Sequence, residues 1–344
     1  STICNTLKNN YSDCQIDYII YDYAKGVVEA NPCIDNIIEI TDKERKSKIE
    51  FFKFLLKLDK YDICINAQGK VEGLLVMLFS RAKVKIGYDK KFWRIFNTYS
   101  IDPKKERIIS GIGTTVDDRL ALLKPLNLEK LITEYKIWIS EQEKEKARKK
   151  LLKNGINFEK PVLMFGVTSR RKYRIWPQAF FAEVIDHLIE KYEAQIIMFF
   201  APINEKYNNE EDYCNSLKKL TSHPENVFTN IRTENIRELI SLLSVSDLYV
   251  GNDNGPRHFS QGVNTPTFCI FSPTANKWDF APHESKMFVS IDLQDALELN
   301  NKNYKKSIIK LDRNKNNSEY FRKIKPHFVK DRMDLMIKNN SLWH

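Results

Sequence analysis

No stretch of this 344-residue chain stays apolar for the roughly 20 residues that a membrane-spanning helix needs. The opening Ser1–Asn10 lacks the basic-then-apolar order of a secretion signal. Metal-ligand spacing is missing as well. The six cysteines, Cys4, Cys14, Cys33, Cys64, Cys214 and Cys269, form no C-x-x-C pair and have no histidine at zinc-site spacing. They read as reduced, mostly buried thiols in a chain large enough to fold without disulfides. No G-x-G-x-x-G follows a readable strand, which speaks against a dinucleotide-dependent dehydrogenase.

What remains is a hydrophobic share of 42% and a charged share of 29%, typical of a globular protein, in a chain long enough for two domains. Lysine and arginine number 55 against 45 aspartates and glutamates, a formal net charge of +10. By charge alone, nucleic acid, acidic lipid headgroups and phosphorylated sugars are equivalent partners. The sequence carries no zinc finger and no aromatic RNA-binding pattern, so nucleic acid is not expected. Much of the excess is lysine spread beside asparagine, the composition of a solvated surface.

Between Gln15 and Gly87, short β-branched runs alternate with helical stretches, the pattern of a parallel sheet wrapped by helices. Ile16–Ile20, Asn36–Ile40 and Tyr61–Ile65 read as strands. Glu44–Leu58 carries Ile49, Phe52, Leu55 and Leu56 at helical spacing. That face is expected to cover the sheet, with a membrane surface as the less favoured use. Asp118–Leu126 reads as a helix, and Glu141–Asn154 as a Lys/Glu-rich helix leading into a linker. Gly155 and Pro161 punctuate the chain before a second series of strands and helices begins. Pro161–Gly166 is a continuous apolar strand of the kind covered on both faces. A cationic loop, Val167–Ile175, follows it, and Pro177 opens the next helix. Gln195–Phe200, Val227–Phe228, Leu248–Val250 and Thr267–Phe271 read as further strands and Ile236–Leu243 as a helix. Asn300–Asn317 reads as a loosely packed segment and Tyr320–Asn340 as a closing helix.

The chemistry gathers in Ser246–Phe259, where a strand empties into a Gly-Pro turn that opens a helix. A helix start offers free N–H groups and the positive end of the dipole, which suit a diphosphate. Gly255 admits a close backbone approach, and Pro256 presets the first turn. Asp253 or Asn254 caps the helix or meets a ligand, and the two roles can coexist. On spacing alone His258 is a polar surface residue of the first turn.

On these residues the chain resembles the bacterial heptosyltransferase family. The run Ser246–Thr274, with Gly262–Thr267 and Phe271–Thr274, is similar to the family's strand, D-T-G-P-x-H, small-residue helix, G-T-P and strand ending in G-P-T. Asn254 stands for the usual Thr and Ser272 for the usual Gly. Gly166–Pro177 resembles the family's strand, Thr/Ser loop and K-x-W-P element, with Arg174 in place of Lys. Phe200–Glu205 resembles a post-strand turn whose acidic residue reaches the nucleotide ribose. With Tyr61–Gly69 and Ala82–Gly87 also similar, the resemblance covers nearly the whole chain.

The resemblance implies an α/β fold of the GT-B type, two Rossmann-like domains with parallel sheets facing across a cleft. Residues 1–154 would bind the acceptor, 155–318 the donor, and a helix in 319–344 would pack back on the first domain. The implied reaction is inverting transfer of a heptose from ADP-heptose to the lipopolysaccharide inner core. The implied enzyme is cytoplasmic and monomeric and uses no cofactor and no metal; no D-x-D lies in a donor loop. Thr168, Ser169, Arg174, Glu205, Asp253, Asn254, Gly255, Pro256 and His258 would bind the donor. Arg174 and the Gly255–His258 helix start would meet the leaving diphosphate. Gln68 and Lys70 would meet an anionic glycolipid acceptor. The acceptor hydroxyl needs a carboxylate base. The resemblance puts that Asp in a glycine-containing loop ahead of Ser1, so the catalytic residue is unknown, and a chain without that loop is expected to be an inactive sugar-nucleotide-binding protein. The positive charge suits an anionic lipopolysaccharide core and equally a peripheral visit to the inner face of the cytoplasmic membrane.

Overall fold

The computed structural model describes residues 2–169, 171–200, 209–283, 285–297 and 318–343. They fall into two units, Ser1–Tyr135 and Lys136–His344. Each is an α/β arrangement of parallel strands.

In the first unit, β1 (Asp17–Tyr21) pairs with β2 (Asn36–Ile40), Asp17 opposite Asn36. A second parallel sheet takes β3 (Ile63–Asn66), β4 (Val84–Tyr88) and β5 (Tyr99–Ile101) in that order. Tyr61 Oη donates to the Asp17 carboxylate at 2.7 Å and ties the start of β3 to that of β1. Parallel neighbours need long crossovers, and helix Val71–Phe79 supplies the one between β3 and β4, while helix Lys48–Leu56 leads from the first sheet to the second. The single helix expected over Glu44–Leu58 is in fact two, Asp42–Lys46 and Lys48–Leu56. Ser47 leaves the helical region at φ −124°, ψ 119° and caps the second helix by accepting the Glu50 N–H at 3.3 Å. The buried stripe is displaced as well. Leu55 and Leu58 are buried and Phe51 and Phe54 half-buried, while Ile49, Phe52 and Leu56 are exposed. The helix expected at Asp118–Leu126 starts earlier, at Thr114, where the buried Asp117 carboxylate accepts the Ser110 N–H at 3.0 Å.

The second unit holds six parallel strands, β6 (Val162–Gly166), β7 (Gln195–Met198), β8 (Val227–Phe228), β9 (Leu248–Asn252), β10 (Thr267–Ile270) and β11 (Phe288–Ile291). Their lateral order is β11-β10-β9-β6-β7-β8, so the first and fourth strands of the unit lie side by side. This is the doubly wound order, and the β6–β9 pair is its switch point. Along β6, Leu163 and Phe165 join one core and Val162 and Met164 the other, as a strand covered on both faces must. All four are fully buried, each worth about 1.5–3 kcal/mol over its exposed state.

Helix Glu141–Lys153 begins this second unit rather than ending the first. Its Ala147 and Leu151, four residues apart, are buried in the same core as Leu239, Leu242 and Leu243 of helix Ile236–Leu243. The boundary therefore falls at 135/136, earlier than the expected 154/155. The closing helix, Pro326–Asn340, was expected against the first domain and instead packs within the second unit on helix Gln178–Tyr192. Val329, Met333, Met336 and Ile337 enter that core, and Asp334 accepts from Lys191 Nζ at 2.7 Å and Tyr192 Oη at 2.8 Å. Both Glu205 and the Asn300–Asn317 segment lie outside the described residues.

Candidate functional site at the switch point

Two glycines let β6 and β9 run close together at their carboxyl ends. Gly166 and Gly251 are register partners, and a Cβ on Gly251 would sit 2.5 Å from the Gly166 carbonyl oxygen. Beyond this pair the strands diverge into Val167–Ser169 and Asp253–Asn254, the place where ligands bind in doubly wound sheets.

Two asparagines stitch the diverging loops. Buried Asn252 accepts the Trp176 N–H at 3.0 Å and donates to the Val167 carbonyl at 2.8 Å. Asn254 Nδ2 donates to the Gly166 and Thr168 carbonyls, both at 3.3 Å. Asn254 Oδ1 caps helix Gly255–Gly262 by accepting the Arg257 N–H at 3.3 Å, and it also accepts from buried Tyr249 Oη at 2.7 Å. The two roles left open by the sequence are thereby divided. Asn254 caps, and the Asp253 carboxylate turns to cations instead.

Asp253 lies between two guanidiniums, 3.5 Å from Arg174 Nη1 and 3.6 Å from Arg257 Nε. Burial pushes its carboxyl above the usual carboxylate range, and Arg257 and Arg174 pull it back down. Arg257 is fully buried, donating to Gln261 Oε1 and to the Phe280 carbonyl, both at 3.2 Å, over the Phe271 ring. Its Nη2 lies 3.0 and 3.2 Å from the two His258 ring nitrogens, and that ring meets Phe280 edge-on. The Nε atoms of Arg174 and Arg257 are buried with no hydrogen-bond acceptor among the described residues. Both guanidiniums face the Asp253 carboxylate at ion-pair rather than hydrogen-bond distance, which concentrates positive charge beside this helix start. Gly255 is exposed, and a Cβ there would touch only the Phe259 ring, at 3.9 Å. The protein's own packing therefore does not require glycine at this point.

A cleft of about 720 Å³ opens after β6 at the start of helix Gln178–Tyr192, lined among others by Thr168, Ser169, Lys172, Trp176, Tyr213 and Arg322. Its size is that of a small-molecule site. The Trp176 indole N–H donates to the Ile324 carbonyl at 3.0 Å, which fixes the cleft's inner wall to the C-terminal segment. Thr168, Ser169, Arg174, Asp253, Asn254, Gly255, Pro256 and His258 are thus gathered around one strand end and its neighbour. Asn252, Tyr249 and Arg257 belong with them and escaped the sequence reading. The one signal for Arg257 was a charged residue inside an otherwise small-residue helix start.

Gln68 and Lys70 belong to the first unit, both exposed after β3. Between them Gly69 takes φ +62°, which only glycine adopts without strain, and its N–H is accepted by Asn66 Oδ1 at 3.1 Å. Lys90 Nζ donates to the Gly69 carbonyl, so a second cation stands beside Lys70.

Residues 51–309 match the family described as glycosyltransferase family 9 (heptosyltransferase). Lipopolysaccharide heptosyltransferase 3 of Escherichia coli is 26% identical over 284 residues, 79% of this chain and 78% of the relative. Lipopolysaccharide heptosyltransferase 1 of Campylobacter coli is 23% identical over 286 residues, 80% of each. Among solved structures, a family 9 glycosyltransferase of Veillonella parvula superposes with a TM-score of 0.77 at 18% identity, covering 98% of this chain and 92% of that one. The E. coli heptosyltransferase WaaC with ADP superposes at 0.68 and 15% identity, covering 97% and 96%.

Proposed function

We propose, from the fact that this chain belongs to glycosyltransferase family 9 (heptosyltransferase), that it moves a heptose from ADP-heptose to a lipopolysaccharide inner core or related anionic glycolipid. The observation that carries this reading is the part-exposed Arg174 guanidinium, held beside Asp253 and the fully buried Arg257 at the start of helix Gly255–Gly262. Cleaving a sugar from a nucleoside diphosphate loads negative charge on the leaving phosphates. Fixed donors at that position stabilise the transition state more than the ground state. Arg174 offers a two-pronged donor, and the free N–H groups of the helix start add their dipole. In this reading the diphosphate lies over Gly255 with His258 at its side, and the nucleoside fills the cleft lined by Thr168, Ser169 and Trp176. These cations do the work for which other transferases use a divalent ion, so no metal is needed at the leaving group, and inversion of the anomeric centre is carried over from the family resemblance. Gln68 and Lys70 take the acceptor's anionic groups. The enzyme works in the cytoplasm, at the inner face of the membrane that carries its acceptor.

Incubation of the full chain with ADP-heptose and a heptose-deficient lipopolysaccharide tests the reading. The expected result is ADP release and acceptor glycosylation, undiminished by excess chelator and reduced by roughly 10²-fold in Arg174→Ala. Transfer that stops on chelation, or from a uridine-linked donor alone, overturns it.

A further inference from the structure

Cationic charge in the first unit is not spread evenly. Residues 81–107 hold nine lysines and arginines against three acidic residues, a net +6, while the rest of the unit to residue 135 carries thirteen against sixteen, a net −3. The same segment displays a cluster of exposed apolar side chains. Between β4 and β5 the chain makes a 3₁₀ turn, Lys91–Phe96. In such a turn residues three apart eclipse one another, and Phe92 and Ile95 are 72% and 75% exposed, with Phe96 beside them at 41%. Side chains of these types are ordinarily inside, and a cluster of them at one turn marks a surface that meets something.

The turn is held firmly rather than left to fray. Arg94 donates to both Asp89 carboxylate oxygens, at 3.0 and 3.1 Å, and the Asp89 N–H pairs with the Ile101 carbonyl at 2.7 Å. Trp93 is half-buried, and the ammonium of Lys90 lies 5.1 Å from its ring centre. Lys91 stands 5.4 Å from the Phe92 ring, a cation at the base of the apolar tip. Aromatic and branched side chains at the tip with lysines at the base are what a bilayer interface selects. The rings enter the headgroup boundary, and the ammonium groups remain at the lipid phosphates.

We infer that the Lys91–Phe96 turn is a docking element for an anionic lipid bilayer, with Phe92, Ile95 and Phe96 entering the interface and the cations of residues 81–107 attracting its surface. A protein partner would need a complementary acidic and apolar patch of fixed shape. A membrane needs only negative charge and an accessible interface, and a single exposed turn offers that match. The inference rests on exposed residues of the first unit and is independent of the donor-site assignment, so loss of either leaves the other standing.

Co-sedimentation of the full chain with vesicles tests it. The chain is expected to pellet with phosphatidylglycerol–phosphatidylcholine vesicles and to remain in solution with phosphatidylcholine alone, the binding weakening as salt is raised. Phe92→Ser combined with Ile95→Ser, and separately Lys91→Glu, should each weaken vesicle binding by at least about tenfold. Circular dichroism and the unfolding midpoint should be unchanged in both, which shows that the variants are folded. Equal binding to neutral vesicles, or a Phe92→Ser/Ile95→Ser chain that pellets like the wild type, overturns the inference. So does a wild type that ignores vesicles and self-associates through this turn, read as a dimer that the double variant abolishes.

Discussion

Two glycines of the site are there for opposite reasons, and substitution separates them. Alanine at Gly251 would push its Cβ to 2.5 Å from the Gly166 carbonyl, a backbone atom that cannot turn aside. Gly251→Ala should cost about 1–3 kcal/mol, seen as a lowered urea midpoint. Alanine at Gly255 meets nothing closer than 3.9 Å, so Gly255→Ala should hold or slightly raise that midpoint. Its ADP affinity should nevertheless fall by about tenfold, because the added methyl stands where the diphosphate approaches the backbone. Equal loss of stability in both variants would contradict the division. Residues of this kind were only partly legible in the sequence. Gly255, Pro256 and Asp253 announce themselves through local chemistry, a turn and a helix start. Asn252 does not, since its partners Trp176 and Val167 lie 76 and 85 positions away. Arg257 reads as a surface cation and is fully buried, a fact settled only by Gln261, Phe271 and Phe280 closing around it.

Among the elements, helix Glu141–Lys153 shows how a polar composition can conceal a structural role. Its sequence is mostly lysine and glutamate, yet Ser140 and Glu143 form a capping box and Arg237 grips Glu143 at 2.6 and 2.9 Å while donating to the Trp138 carbonyl at 2.7 Å. The Arg237 guanidinium is the main cause that draws the Glu143 carboxyl from its ordinary 4.5 down to about 2. A carboxyl depressed in the folded state contributes its stability above the unfolded value and loses it as pH falls through the folded one. The Glu143 share should therefore be complete above pH 4.5 and fade toward pH 2. Glu143→Gln should lower stability by about 1–2 kcal/mol at neutral pH and by little near pH 2, a difference that urea titrations at the two pH values would show. An equal deficit at both would mean that the ion pair contributes nothing. Strands with unbroken apolar runs, such as β6 and β9, were legible because burial on both faces writes itself into composition. Short or polar ones, β4, β5 and β11, were not read as strands, and a lone serine was enough to break Glu44–Leu58 in two.

Across the whole molecule, apolar exposure and positive charge are arranged unlike the fold that carries them. The second unit spends its hydrophobic residues on two cores about a doubly wound sheet. The first unit has a smaller core around Ile86, Ile101, Ala121 and Leu122 and leaves Ile49, Phe52, Leu56, Phe92 and Ile95 more than half exposed. The overall α/β class followed from alternating strand and helix patterns, and the family followed from the Ser246–Thr274 and Gly166–Pro177 motifs. The unit boundary and the seat of the closing helix did not, because both depend on which core a half-apolar helix joins. Isothermal titration of ADP into the full chain, beside UDP and GDP, tests the central claim that the β6–β9 switch point holds the donor's diphosphate. The account predicts that ADP binds more tightly than the other two and that Arg174→Ala weakens it by at least about tenfold while the unfolding midpoint stays in place. Absence of nucleotide binding, or an Arg174→Ala chain that binds ADP as the wild type does, would contradict it.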